Sequence, residues 1–146
     1  GHTAAEIVAA GQKARRCSLA LSVTAISGLG SVDKWRQHAV DTAKAVSAIQ
    51  PDYLGLLTLM VEPGTPLETW VKDGSFTLLT PAEVLKETEL FLQNVDSEGT
   101  VFRANHASNY LTLKGTLNRD RDALLGQIAA ALEGRRDLKP EFLRAL

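Results

Sequence analysis

The chain has 146 residues, 45% hydrophobic and 23% charged, the composition of an ordinary soluble globular domain. Sixteen Lys and Arg against seventeen Asp and Glu leave a net charge of -1, too weak a field to gather nucleic acid or an anionic membrane. The single cysteine, Cys17, excludes both an internal disulfide and an iron–sulfur cluster held by this chain alone. With neither a signal peptide nor an apolar run near the ~20 residues of a membrane span, the expected setting is cytoplasmic.

Thr3 and Glu6 stand three apart as a capping box, which predicts a helix to about Arg16. A chain that begins at Gly1 and enters a capped helix at once reads as a fragment of a longer protein. The apolar run Leu19 to Ile26 predicts a strand buried on both faces, as in parallel sheets, with Cys17 a small buried group at its start. Ser31 or Asp33 can cap a second helix, whose stripe of Trp35, Ala39, Thr42, Val46 and Ile49 faces a sheet. Tyr53 to Met60 reads as another buried strand and completes a βαβ unit.

Thr65-Pro66-Leu67-Glu68 and Thr80-Pro81-Ala82-Glu83 repeat the capping-box pattern with proline at the first helical position, where no amide hydrogen is needed. They predict a short helix ending at Gly74 and a longer one with Val84, Leu85, Thr88, Phe91, Leu92 and Val95 on its apolar face. Thr100 to Arg103 is a short strand candidate, 104–109 a polar loop, and Tyr110 to Gly115 alternates apolar and polar like a strand. Asn118 can cap a last long helix that stops at Gly134, and the tail Leu138 to Leu146 adds a further turn. The fold class is therefore α/β.

Ile26-Ser27-Gly28-Leu29-Gly30-Ser31 is the first candidate site, because glycines at a strand's C-terminal end let a ligand approach the backbone before a helix N-terminus. Such glycines serve equally as a turn that needs left-handed angles. The spacing matches neither the P-loop nor the dinucleotide fingerprint, so an uncharged ring suits the loop better than a pyrophosphate. In His106-Ala107-Ser108-Asn109, His106 and Asn109 are candidate substrate contacts, set against the plainer role of fixing a turn. Two positions apart on a strand, His106 and Ser108 cannot by themselves form a relay, and no Gly-x-Ser-x-Gly elbow accompanies them. The three histidines have no metal-ligand spacing, and His38 is expected on an exposed helix face. Trp35 and Trp70 are expected to pack in the core or against a missing part.

Three ordered segments resemble one superfamily. Ala25 to Lys34, Pro63-Gly64-Thr65-Pro66-Leu67, and Phe102 to Leu111 followed by Lys114-Gly115 are similar to the fifth-strand loop, the sixth-strand exit and a subgroup's tail segment in radical S-adenosylmethionine enzymes. Leu29 stands where a proline is usual, and Val32 where an acidic residue is often found.

The resemblance implies the C-terminal half of a partial parallel β/α, TIM-like barrel over residues 1–100, with a helical C-terminal extension over 101–146 packed on it. It places Ile26, Gly28, Leu29 and Gly30 beside the adenine of S-adenosylmethionine. It implies a 4Fe–4S cluster whose three-cysteine loop lies in an N-terminal half-barrel not contained in this chain. The full enzyme would reductively cleave S-adenosylmethionine and abstract hydrogen from a substrate, while this part alone would be inert and would self-associate through its uncovered edge and face. The rival readings are a self-contained α/β module that docks a partner protein, and a small nucleotide-binding enzyme with His106 as base.

Overall fold

The computed structural model describes Gly1–Ala145. Helix α1 (Ala4–Arg16) starts on the Thr3/Glu6 capping box, with both reciprocal bonds formed. Strand β1 (Ser22–Ser27) is followed by α2 (Ser31–Ile49), which buries Trp35, Ala39, Ala43, Val46 and Ile49. Strand β2 (Tyr53–Thr58) leads through α3 (Pro66–Lys72) to α4 (Pro81–Asn94), again begun by a complete box at Thr80 and Glu83. At Thr65 the hydroxyl accepts from the Glu68 amide, but the Glu68 carboxylate reaches the Gly64 amide at 2.9 Å instead of closing a box. Strands β3 (Val101–Ala104) and β4 (Leu113–Thr116), helix α5 (Arg121–Leu132) and a 3₁₀ turn (Glu141–Leu143) complete the chain.

The sheet is open and mixed, in the order β1-β2-β3-β4. β1, β2 and β3 run parallel, with Ser22 beside Tyr53 and Tyr53 beside Val101. β4 runs antiparallel to β3, since 105–112 is too short a connection for the crossover a parallel strand requires. One core lies on one face of this sheet. There Leu54, Leu56, Phe102 and Leu113 meet Ala43, Val46, Leu85, Phe91, Leu92, Leu124 and Ile128, with the Phe91 and Phe102 rings stacked at 6.4 Å. Residues on both sides of the boundary expected at 100 share that core, and 101–146 contributes two strands as well as helix.

Among the described residues no helix covers the opposite face. A side chain at Gly55 would meet Thr24 and Leu57, which places all three on it. Tyr53, Thr24, Arg103 and Lys114 are exposed there, and Gly55 and Leu57 half-buried.

Several expectations need correction. β1 is an edge strand and is not buried on both faces: Leu19 precedes it and is 58% exposed, and Ser22 and Thr24 face solvent. Cys17 is exposed at the end of α1, outside any strand. Trp35 is buried, whereas Trp70 is 51% exposed on α3 and so does not pack in the core of this chain. α2 is entered through Gly30 without a side-chain cap. Asn118 adopts a left-handed conformation and its carbonyl oxygen accepts from the Ser97 amide, leaving Asp120 next to the first turn of α5. β4 starts at Leu113, since Tyr110 and Leu111 belong to the preceding loop. Leu146, the last residue of the expected tail turn, lies outside the described residues.

Candidate functional site

The parallel strands end together at Ser27 and Thr58, where the Leu59 amide donates to the Ser27 carbonyl at 2.9 Å. C-terminal ends of parallel strands are where open α/β sheets and β/α barrels place ligands, because the following loops diverge there. At this end lies a half-enclosed cavity of about 270 Å³. Leu59, Met60, Leu79 and Val84 form apolar walls, and Gly28, Tyr110, Glu141 and Arg144 also line it.

The glycine loop is built on two separate steric demands. Gly28 has φ +96°, a left-handed conformation that favours glycine, and a side chain there would meet Leu59 Cβ at 3.3 Å. At Gly30 a side chain would stand 2.9 Å from His38 Cβ and from the Lys34 carbonyl. The two therefore face different surroundings: Gly28 borders the cavity, whereas Gly30 packs on α2 beside a groove toward α1. Leu29 is 49% exposed between them, and Ile26 is half-buried beside Leu57.

Beneath the loop is a buried carboxylate. Glu87, on α4, is 2% exposed and accepts from the Ser27 hydroxyl, from the Gly28 amide at 2.7 Å and from His38 Nδ1 at 2.7 Å. The two donors on Oε2 leave Oε1 to His38, whose Nδ1 carries the hydrogen. His38 is thus engaged and not simply on an exposed face. A charge buried in this way is tolerable only because β1, the loop and α2 each supply a donor. Glu87 lies in register with Val84, Leu85, Thr88, Phe91 and Leu92 on the buried stripe of α4, so a carboxylate amid that stripe was a signal present in the sequence.

The second predicted segment forms a staple. Asn109 is 6% exposed; its carbonyl oxygen accepts from the Thr58 hydroxyl at 2.9 Å and its amide donates to the Leu56 carbonyl at 2.9 Å. The Ser108 hydroxyl accepts from the Thr58 amide at 3.2 Å. The Ser108 amide donates to His106 Nδ1 at 3.2 Å, and Ser108 Oγ lies 3.0 Å from the same nitrogen. His106 and Ser108 do meet, because 105–109 is a turn and not a strand. Ser108 is wholly buried, which removes it as a nucleophile, and the His106 ring is at the surface. The structure therefore does not bring His106 or Asn109 together with Gly28 on the cavity wall.

The donor set does not fit an iron–sulfur cluster. The one thiol, Cys17, precedes β1 and lies at the end of the sheet opposite Gly28, and no metal-binding group of His, Cys, Asp and Glu is found among the described residues. One wall of the cavity is aliphatic and its mouth is polar, while the loop backbone is already engaged: the Gly28 amide is taken by Glu87 and its carbonyl accepts from Ser31 at 3.2 Å. Among the described residues no helix is long and apolar enough to cross a membrane. Neither family models nor curated proteins nor solved structures give a match to this chain.

Proposed function

We propose that this chain is the C-terminal half of the partial β/α barrel of a radical S-adenosylmethionine enzyme. The observation that carries the reading is the one-sided sheet: three parallel strands with helices on one face, and an opposite face on which Thr24, Tyr53 and Arg103 are exposed. Such a face is what the inner wall of an incomplete barrel presents, and the cavity at the strand C-termini lies where barrels place their ligands.

In this reading Gly28, with Ile26, Leu29 and Gly30 around it, borders the adenine of S-adenosylmethionine. Leu59 and Met60 supply apolar contact. His106 and Asn109 shape the rim of the substrate side, Asn109 by fixing the end of β2. The parent reaction, reductive cleavage of S-adenosylmethionine followed by hydrogen abstraction, requires a 4Fe–4S cluster whose ligands belong to another part of the polypeptide. This chain contributes walls and a shaped backbone, and by itself is inactive.

The test uses the intact polypeptide, purified without oxygen, its cluster reconstituted, and incubated with S-adenosylmethionine and dithionite. Formation of 5'-deoxyadenosine is expected. A polypeptide with no three-cysteine loop before Gly1, or one that forms no 5'-deoxyadenosine, overturns the proposal.

A further inference from the structure

At the mouth of the cavity a guanidinium and a phenol converge on one carboxylate. The Arg144 side chain is 3% exposed. Its Nε donates to the Ser108 carbonyl at 2.6 Å, and Nη2 to the Leu59 carbonyl at 3.0 Å. Nη1 donates to the Tyr110 hydroxyl at 2.6 Å and to both Glu141 oxygens at 2.7 Å. The guanidinium also lies 4.1 Å from the centroid of the Tyr110 ring. Tyr110 donates its own hydrogen to Glu141 Oε2 at 2.7 Å.

The two halves of this arrangement are held very differently. Backbone acceptors at the end of β2 and in the staple loop anchor the guanidinium. The carboxylate comes from a side chain 68% exposed, on a single 3₁₀ turn whose Phe142 and Leu143 are exposed too. Burial, and then the bond to Glu141, push the Tyr110 hydroxyl up to about 12, so it stays a donor through the neutral range. The Arg144 and Tyr110 hydrogen bonds hold the Glu141 carboxyl below its ordinary value.

We propose that the cavity binds a small organic carboxylate, whose carboxyl group replaces that of Glu141 between Arg144 and Tyr110 while its apolar body lies against Leu59, Met60, Leu79 and Val84. The exchange leaves the buried guanidinium paired throughout, since one carboxylate arrives as the other leaves, and an unpaired buried charge is the costly state. Glu141 returns to water at little cost because it is mostly hydrated already. About 270 Å³ is just below the usual range of small-molecule pockets, which limits the body to roughly one ring. The ligand would take the walls that the radical-enzyme reading gives to adenine, so the two are alternative occupants of one cavity, and the probes contain no adenosine.

The experiment is calorimetric titration of the chain with 3-phenylpropionate and with its amide, 3-phenylpropionamide. The carboxylate is expected to bind at least tenfold more tightly than the amide. Glu141→Gln removes the internal competitor from an exposed position and is expected to tighten the carboxylate three- to tenfold and to widen its margin over the amide. Tyr110→Phe deletes one of the two donors and weakens the carboxylate several-fold, with the fold checked by circular dichroism. Equal affinity for acid and amide, no measurable binding of either, or a Glu141→Gln variant that binds the carboxylate no better than the parent overturns the proposal.

Discussion

Replacing Glu87 by alanine removes the acceptor of three hydrogen bonds from a place water does not reach, its side chain being 3% exposed. The Gly28 amide would be left buried and unpaired, which costs about 1–3 kcal/mol, and the Ser27 hydroxyl, free to rotate, adds a value near the lower end of that range. The vacated side-chain volume contributes about 1 kcal/mol more. His38 is partly exposed and can turn to water, so it adds little. Relief of the carboxylate's own desolvation offsets about 1 kcal/mol of the sum, leaving about 2–4 kcal/mol. With an unfolding entropy of roughly 2.1 cal/mol/K per residue, a chain of this length loses about 7–13 °C in Tm. Glu87→Gln keeps an acceptor for Gly28 and Ser27 and should cost only about 1–2 kcal/mol. Urea unfolding of the three proteins, followed by circular dichroism, tests the ranking. An alanine variant within about 1 kcal/mol of the parent, or a glutamine variant as damaged as the alanine one, refutes the assignment of Glu87 as the anchor of the loop.

Phe102→Ala, at a fully buried ring stacked on Phe91, is expected to cost about 3–5 kcal/mol in the same assay; a loss under about 2 would mean that the core closes around the site. Asn109→Ala strands the Thr58 hydroxyl and the Leu56 carbonyl and should cost about 2–4 kcal/mol, whereas a residue kept mainly for ligand contact would cost less than about 1. The Asp120 carboxyl is lowered to about 2 by the Arg119 side chain and then by the Thr116 amide. Its folded value lies below its unfolded one, so its contribution is complete above about pH 4 and lost as the pH falls toward 2. The urea midpoints of the parent and of Asp120→Asn should therefore converge between pH 5 and pH 2, and a constant gap would contradict the pairing. The uncovered sheet face and the free edge of β1 predict self-association of the isolated chain, which light scattering after size exclusion reads directly; a monodisperse monomer refutes it.

Much of the local structure was legible because it depends on residues three or four apart. The caps at Thr3 and Thr80, the stripe from Trp35 to Ile49 and the face of α4 each follow from one turn of helix geometry, and the structure contains them, except that Ala43 is buried in the stripe where Thr42 was expected and Thr42 is only half-buried. Reading failed where burial depends on neighbours distant in sequence. Leu19 to Ile26 has the apolarity of a central strand but lies at an edge, and Trp70 has the size of a core residue but stands exposed on α3. Hydrophobicity reports what a side chain gains from cover, not whether cover is there.

The sequence alone determined the α/β class, the starts of α1, α3 and α4 and a glycine loop at the end of a strand, since these express periodicity, capping and the allowed backbone angles of single residues. Tertiary structure alone decided what surrounds that loop. Ser27 meets Glu87 across 60 positions and Leu59 meets Arg144 across 85, and neither pairing leaves a trace in local spacing. It also decided that His106 and Ser108 converge in a turn, and that among the described residues no helix covers one face of the sheet. Folding brings together donors and acceptors whose chain separation carries no information, so the polar contacts that define the site appear only when the backbone has closed.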